Sequence, residues 1–167
     1  WLELKLETML PWLDPRNSYP TQLLEYSSGT DYSKHVDCSY NLDPNDRAFT
    51  ILIYLDNPTT DDNTGGGGGG GGGETIFPRI KKGSIRVKPI PGRLVGFTSL
   101  TSKGYCNYKS EHYSNEIQKN VINKKMVVQK WYARVNQREK KIGTNTLGAS
   151  FLKSMFDKNI LNKNQGF

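Results

Sequence analysis

At 167 residues the chain is long enough for one domain with a single buried core, and no apolar run in it approaches the roughly 20 residues that span a bilayer. Its net charge of +7 is unevenly spread, with residues 1–74 holding 4 of the 23 Lys/Arg and 12 of the 16 Asp/Glu. The basic second half is scattered and accompanied by no nucleic-acid motif, so it reads as solvated surface rather than a polyanion site. Only Cys38 and Cys106 are present, which excludes a disulfide scaffold and a zinc site of Cys/His spacing; one disulfide and two buried thiols both remain open.

The chain opens on Trp1 rather than Met and so reads as a fragment, leaving an upstream signal peptide or anchor, and the compartment, undetermined. From Trp1 to Leu10, apolar Leu2, Leu6, Met9 and Leu10 recur at helical spacing and predict an amphipathic helix stopped by Pro11. Short strands are predicted at Gln22 to Tyr26 and Tyr32 to Asp37, then a buried strand over Ala48 to Leu55, AFTILIYL, rich in β-branched and aromatic residues. Further strands are predicted over Glu74–Phe77, Ser84–Lys88, Leu94–Thr98, Lys109–His112 and Lys125–Tyr132. Proline and glycine punctuate them at short intervals, the pattern of a sandwich or barrel rather than of βαβ units. Between strands runs Gly65 to Gly73, read as a flexible linker because Glu-Thr-Ile-Phe follows it and not the Gly-Lys-Ser/Thr of a phosphate loop. Leu147, Phe151, Leu152, Met155, Phe156 and Ile160 predict a C-terminal helix packed outside the barrel.

Only two histidines occur, His35 and His112. His35 belongs to the tripeptide His-Val-Asp, and side chains at i and i+2 of a strand share one face, so His35 and Asp37 can point into one cavity. His112, at the end of a distant predicted strand, offers a third ligand. Two imidazoles and one carboxylate on one face of an ion leave three positions open, the facial triad of non-haem Fe(II) oxygenases. Taken alone the HxD spacing is a weak signal, since a lone strand histidine is more often a hydrogen-bonded structural residue.

The surrounding strings sharpen it. Leu24-Glu25-Tyr26, Gly29 and Tyr32-Ser33-Lys34-His35-Val36-Asp37 come first, then Thr50 through Asp56, then Gly72-Gly73-Glu74-Thr75-Ile76-Phe77-Pro78. Ser84 to Pro89, Gly92 to Phe97, Ser110-Glu111-His112 and Lys125 through Trp131 follow in order. From about Gln22 to Trp131 this series resembles the prolyl 4-hydroxylase family of 2-oxoglutarate oxygenases, the GGET.FP string most specifically.

The resemblance implies a mainly β fold, a double-stranded β-helix (jelly-roll) barrel over about 22–134 with flanking N- and C-terminal helices, in a single dioxygenase domain. It implies Fe(II) held by His35, Asp37 and His112, and 2-oxoglutarate held by Lys125, with Tyr54 sharing its distal carboxylate and Tyr26 near its chelating end. The interval from His112 to Lys125 is longer than in the family, which makes Lys124 the alternative to Lys125. O2 and ascorbate complete the implied set, and the implied substrate is peptidyl proline, as in procollagen-type hydroxylation. Two other readings stand beside it: a 2-oxoglutarate oxygenase acting on another residue or a small molecule, and a non-catalytic β-barrel binding module.

Overall fold

A computed structural model describes residues 2–43, 45–56, 58, 71–80, 83–119 and 124–134. The predicted C-terminal helix and Gly65–Gly70 lie outside the described residues. The N-terminal helix α1 spans Leu2–Met9, just before Pro11. Eight strands follow: β1 Gln22–Tyr26, β2 Tyr32–His35, β3 Arg47–Tyr54, β4 Thr75–Phe77, β5 Ile85–Val87, β6 Leu94–Thr98, β7 His112–Ser114 and β8 Lys125–Ala133. They form two four-stranded sheets, ordered β1-β8-β3-β6 and β2-β7-β4-β5, and every pairing is antiparallel. The chain thus crosses repeatedly from one sheet to the other, which is the jelly-roll arrangement expected from the sequence. Among the described residues no helix is long and apolar enough to cross a membrane.

The centre of the larger sheet explains the continuous apolar run of β3. Phe49 and Ile51 cluster with Leu6, Leu13 and Tyr132, under α1. Leu52 and Tyr54 instead join Phe77, Phe97 and Val127 between the sheets. Period-two alternation sends successive side chains to opposite faces, and here both faces are covered, so both must be apolar.

Two boundaries differ from the sequence reading, and both matter for the site. The predicted strand Lys109–His112 is a 3-10 turn, Tyr108–Ser110, followed by β7, so His112 opens a strand instead of ending one. Asn107 accepts the Lys109 N–H on its side chain and the Ser110 hydroxyl on its carbonyl, local bonds that compete with ladder pairing. The strand predicted to reach Asp37 ends at His35. Beyond it, Asp46 accepts the N–H groups of Ser39 and Tyr40, each at 2.7 Å, pinning the segment that follows Asp37. Of the two alternatives for the cysteines, the structure has the disulfide, joining Cys38 to Cys106.

Candidate metal centre

The site begins with strand pairing. His35, the last residue of β2, is the direct antiparallel partner of His112, the first of β7. Directly opposed residues in such a pair have their Cβ atoms about 5 Å apart, and the two imidazole centroids lie 4.3 Å from each other. Asp37 then turns in from beyond the strand end. One donor atom from each of His35, Asp37 and His112 lies within 4.8 Å of the other two, and Asp37 Oδ1 is 3.4 Å from His35 Nε2. Asp37 and His112 are buried.

The hydrogen bonds orient these groups toward a common point. His35 Nδ1 lies 2.7 Å from the Ser33 carbonyl and His112 Nδ1 lies 2.9 Å from the Ser110 carbonyl. A carbonyl only accepts, so each Nδ1 donates its proton there and Nε2 is the nitrogen left for a metal, the arrangement typical of metal-ligating imidazoles. Asp37 Oδ2 accepts the Thr50 hydroxyl, which also lies 3.2 Å from the Ser99 hydroxyl. Burial works against the Asp37 carboxylate, but the His35 hydrogen bond, the His112 charge and Thr50 outweigh it and lower its pKa. His112 is lowered chiefly by burial. His35 is raised: burial opposes its charged form, but the bonds to Asp37 and Ser33 prevail. Two imidazoles and a held carboxylate, with donor atoms within 4.8 Å of one another, fit a divalent cation.

Next to the triad is a small pocket that includes His35, His112, Tyr26, Tyr32, Thr75, Ser114 and Lys125 in its wall. Lys125, the first residue of β8, is 2% exposed; its ammonium donates to Ser114 Oγ at 2.7 Å and lies 4.6 Å from the Tyr26 ring centre. Among the described residues no carboxylate lies within ion-pair distance of it. Burial pushes its pKa down to about 8, with the charge of Glu74 opposing. A buried cation without an ion-pair partner is costly, and a carboxylate guest would complete it. The two neighbouring lysines part: Lys124 is at the surface, paired with Glu25, and Lys125 lines the pocket.

The tyrosines separate. Tyr26 lines the pocket, whereas Tyr54 is fully buried behind it and donates its hydroxyl to Thr75 Oγ1 at 2.7 Å. Tyr54 is thus bonded to a residue of the pocket wall rather than part of that wall. Burial raises both phenols to about 12, keeping them protonated donors. The cavity beside Lys125 is about 30 Å³, room for roughly one or two waters.

Three participants escaped the sequence reading: Thr50, Ser99 and Arg47. Thr50 sits in a quoted strand string, but nothing in the string says that its hydroxyl holds Asp37. Arg47 stacks its guanidinium 4.1 Å over the Trp131 ring, with Nη1 3.5 Å from the Asp37 carbonyl. A lone arginine at the start of a β-strand carries no signal of such a contact.

No curated protein sequence matches. A viral collagen prolyl hydroxylase from Paramecium bursaria Chlorella virus-1, solved with 2OG, superposes with a TM-score of 0.57 at 23% identity, over 78% of this chain and 66% of that one. A truncated form of the same viral enzyme gives 0.57 and 23% over 79% and 64%. The chain thus spans somewhat less than two thirds of the length of these solved chains, and the likeness establishes a shared fold. The family model of the 2OG-Fe(II) oxygenase superfamily matches residues 21–133, a span that contains the triad, Lys125 and all eight strands. This chain belongs to the 2OG-Fe(II) oxygenase superfamily.

Proposed function

We propose that this member of the superfamily is a 2-oxoglutarate-dependent dioxygenase that hydroxylates proline within a polypeptide, in the manner of prolyl 4-hydroxylases. The observation that carries the reading is the convergence of His35, Asp37 and His112 within 4.8 Å, with both Nδ1 atoms engaged by backbone carbonyls so that Nε2 is left for a metal. These three residues would hold Fe(II), and Lys125 would receive the distal carboxylate of 2-oxoglutarate. A bound ferrous ion with 2-oxoglutarate and O2 supplies the oxidising chemistry, yielding succinate, CO2 and a hydroxylated C–H bond, with ascorbate as the reductant that restores ferrous iron.

The protein's own residues do the positioning. The Ser33 and Ser110 carbonyls hold the two imidazoles in one tautomer, and Thr50 with Ser99 fixes the Asp37 carboxylate. Lys125 and Ser114 set the position of the incoming diacid, because a charged, doubly hydrogen-bonding group is matched best by a fixed ammonium and hydroxyl. Phe77 and Phe97 pack their rings 5.4 and 4.8 Å from His112, keeping water from that side of the triad. No side-chain acid or base beyond these residues is called on. The choice of peptidyl proline rests on the GGET.FP and HxD strings and on the fold shared with the viral collagen prolyl hydroxylase.

Anaerobic addition of Fe(II) and 2-oxoglutarate tests the cofactor reading through a visible charge-transfer band. The band is expected in the intact protein and lost in Asp37→Ala; its absence from the intact protein would overturn the reading. Substrate class is tested by succinate release, expected to be stimulated by proline-containing peptides. Stimulation by small metabolites alone would refute the peptidyl-proline assignment.

A further inference from the structure

A second, larger cavity of about 500 Å³ lies between the β4–β5 hairpin and β6. Its wall is apolar: Phe77, Ile85, Val87, Val95 and Phe97 contribute, and the Phe77 and Phe97 rings that form part of it also pack on His112. One ring's thickness therefore separates this cavity from the metal triad. It sits where the sheets part, because β5 and β6 are the outermost strands of their respective sheets. Among the described residues no strand pairs with the free edge of either. Along β5, Ile85 and Val87 line the cavity and the intervening Arg86 does not, as strand alternation requires.

The polar rim narrows the ligand chemistry. The Asn107 amide donates to the Thr98 carbonyl, the Ser110 hydroxyl donates to the Asn107 carbonyl, and the Thr101 hydroxyl accepts the Tyr105 N–H. Those groups are engaged within the rim itself. Among the described lining residues Lys109 is the one cation; it is exposed, and no described carboxylate lies within ion-pair distance of it. Glu111, two residues on, is held by Arg79 at 2.8 Å.

We propose that this cavity is the docking groove for a polypeptide substrate. An extended segment pairs its backbone with the free edge of β5, drops apolar side chains between Val87 and Phe97, and presents an acidic residue to Lys109. The proposal rests on the oxygenase reading for the word substrate, but the groove's chemistry stands on its own geometry. A small apolar molecule would fill the space and leave the edge N–H and C=O groups of β5 to water, whereas a peptide backbone matches both kinds of group. Alternate side chains of an extended peptide repeat with the same period as Ile85 and Val87, so backbone pairing and side-chain burial occur in one register.

Fluorescence anisotropy on the intact chain, without metal or 2-oxoglutarate, tests the docking. The titrant is a short labelled peptide with one proline, leucines at alternate positions and one aspartate. Saturable binding is expected, weakened at least tenfold by Ile85→Trp, which fills the groove from an exposed position. Lys109→Glu is expected to weaken the aspartate peptide to a similar degree and to restore binding when that aspartate is replaced by lysine. Absence of saturable binding, indifference to Ile85→Trp, or failure of the charge exchange would each overturn the proposal. Both variants are expected to keep the anaerobic Fe(II)/2-oxoglutarate band, which reports folding. If the unaltered chain lacks that band yet the peptides still discriminate, the groove stands and the oxygenase reading falls.

Discussion

Lys125 is where single-residue chemistry is most exposed to test. Its ammonium is buried, held by Ser114, and depressed to about 8 by burial. In the unfolded chain the same group has an ordinary lysine pKa, so between about 8 and 10.5 the unfolded state binds the extra proton. Stability therefore rises with pH across that window and carries the full burial cost below it. The diacid needs the charged form, so 2-oxoglutarate binding should be strongest below pH 8 and weaken by up to about tenfold per unit above it, as titration at several pH values would show. Lys125→Met should abolish that pH dependence and weaken 2-oxoglutarate by about 1.5–3 kcal/mol, while the ligand-free protein melts at a higher temperature because a buried charge has been removed. Thr50→Val tests the support of Asp37. It should lower metal affinity by roughly 10–100-fold, as loss of such outer contacts does, measurable by Mn(II) or Co(II) titration with the fold unchanged in circular dichroism.

Among the elements, the stretch from Gly72 into β4 shows what a motif encodes. Gly72 has φ +79°, and a Cβ there would stand 2.1 Å from the Glu116 carbonyl oxygen. Gly73, with φ +77°, would place a Cβ 3.2 Å from Cδ of Lys125. These glycines let the segment close against Ile117, with which Gly72 forms a bridge, and leave room for the lysine stem, a fixed backbone role at the end of the run read from Gly65 as a linker. Gly72→Ala should lose about 1–2 kcal/mol for the left-handed conformation and more for the backbone clash. Gly29→Ala, at φ +77° with nothing within 4 Å, should show the conformational cost alone. The difference in denaturant midpoints isolates the contact. The same scale explains the misplaced strand before His112: Asn107 and Ser110 are ordinary polar letters in a one-dimensional pattern, and their capping bonds become visible only once the turn is formed.

For the molecule as a whole, the disulfide ties the triad to the barrel. Cys38 follows Asp37 directly and joins Cys106 across 68 residues, enclosing β3 to β6. By loop entropy a closure of that length contributes about 4 kcal/mol, so reduction should lower the urea midpoint clearly, and Cys106→Ser should reproduce the shift without reductant. An unchanged midpoint would mean that the sheets alone hold the Asp37 segment in place.

The order of strands, the period-two pattern of β3, the HxD tripeptide and the glycine-led string were all legible in the amino acids alone, because each depends on neighbours within a few residues. They sufficed for the mainly β class and for nominating His35, Asp37, His112 and Lys125. What only the folded chain decided is who stands opposite whom. The β2–β7 register brings two imidazoles together, β8 turns Lys125 rather than Lys124 inward, and β3 delivers Thr50 to Asp37. The parting of β5 from β6 opens the second cavity. Those contacts join residues distant in sequence, and their energies depend on burial and distance, quantities that exist only once two sheets have closed on each other.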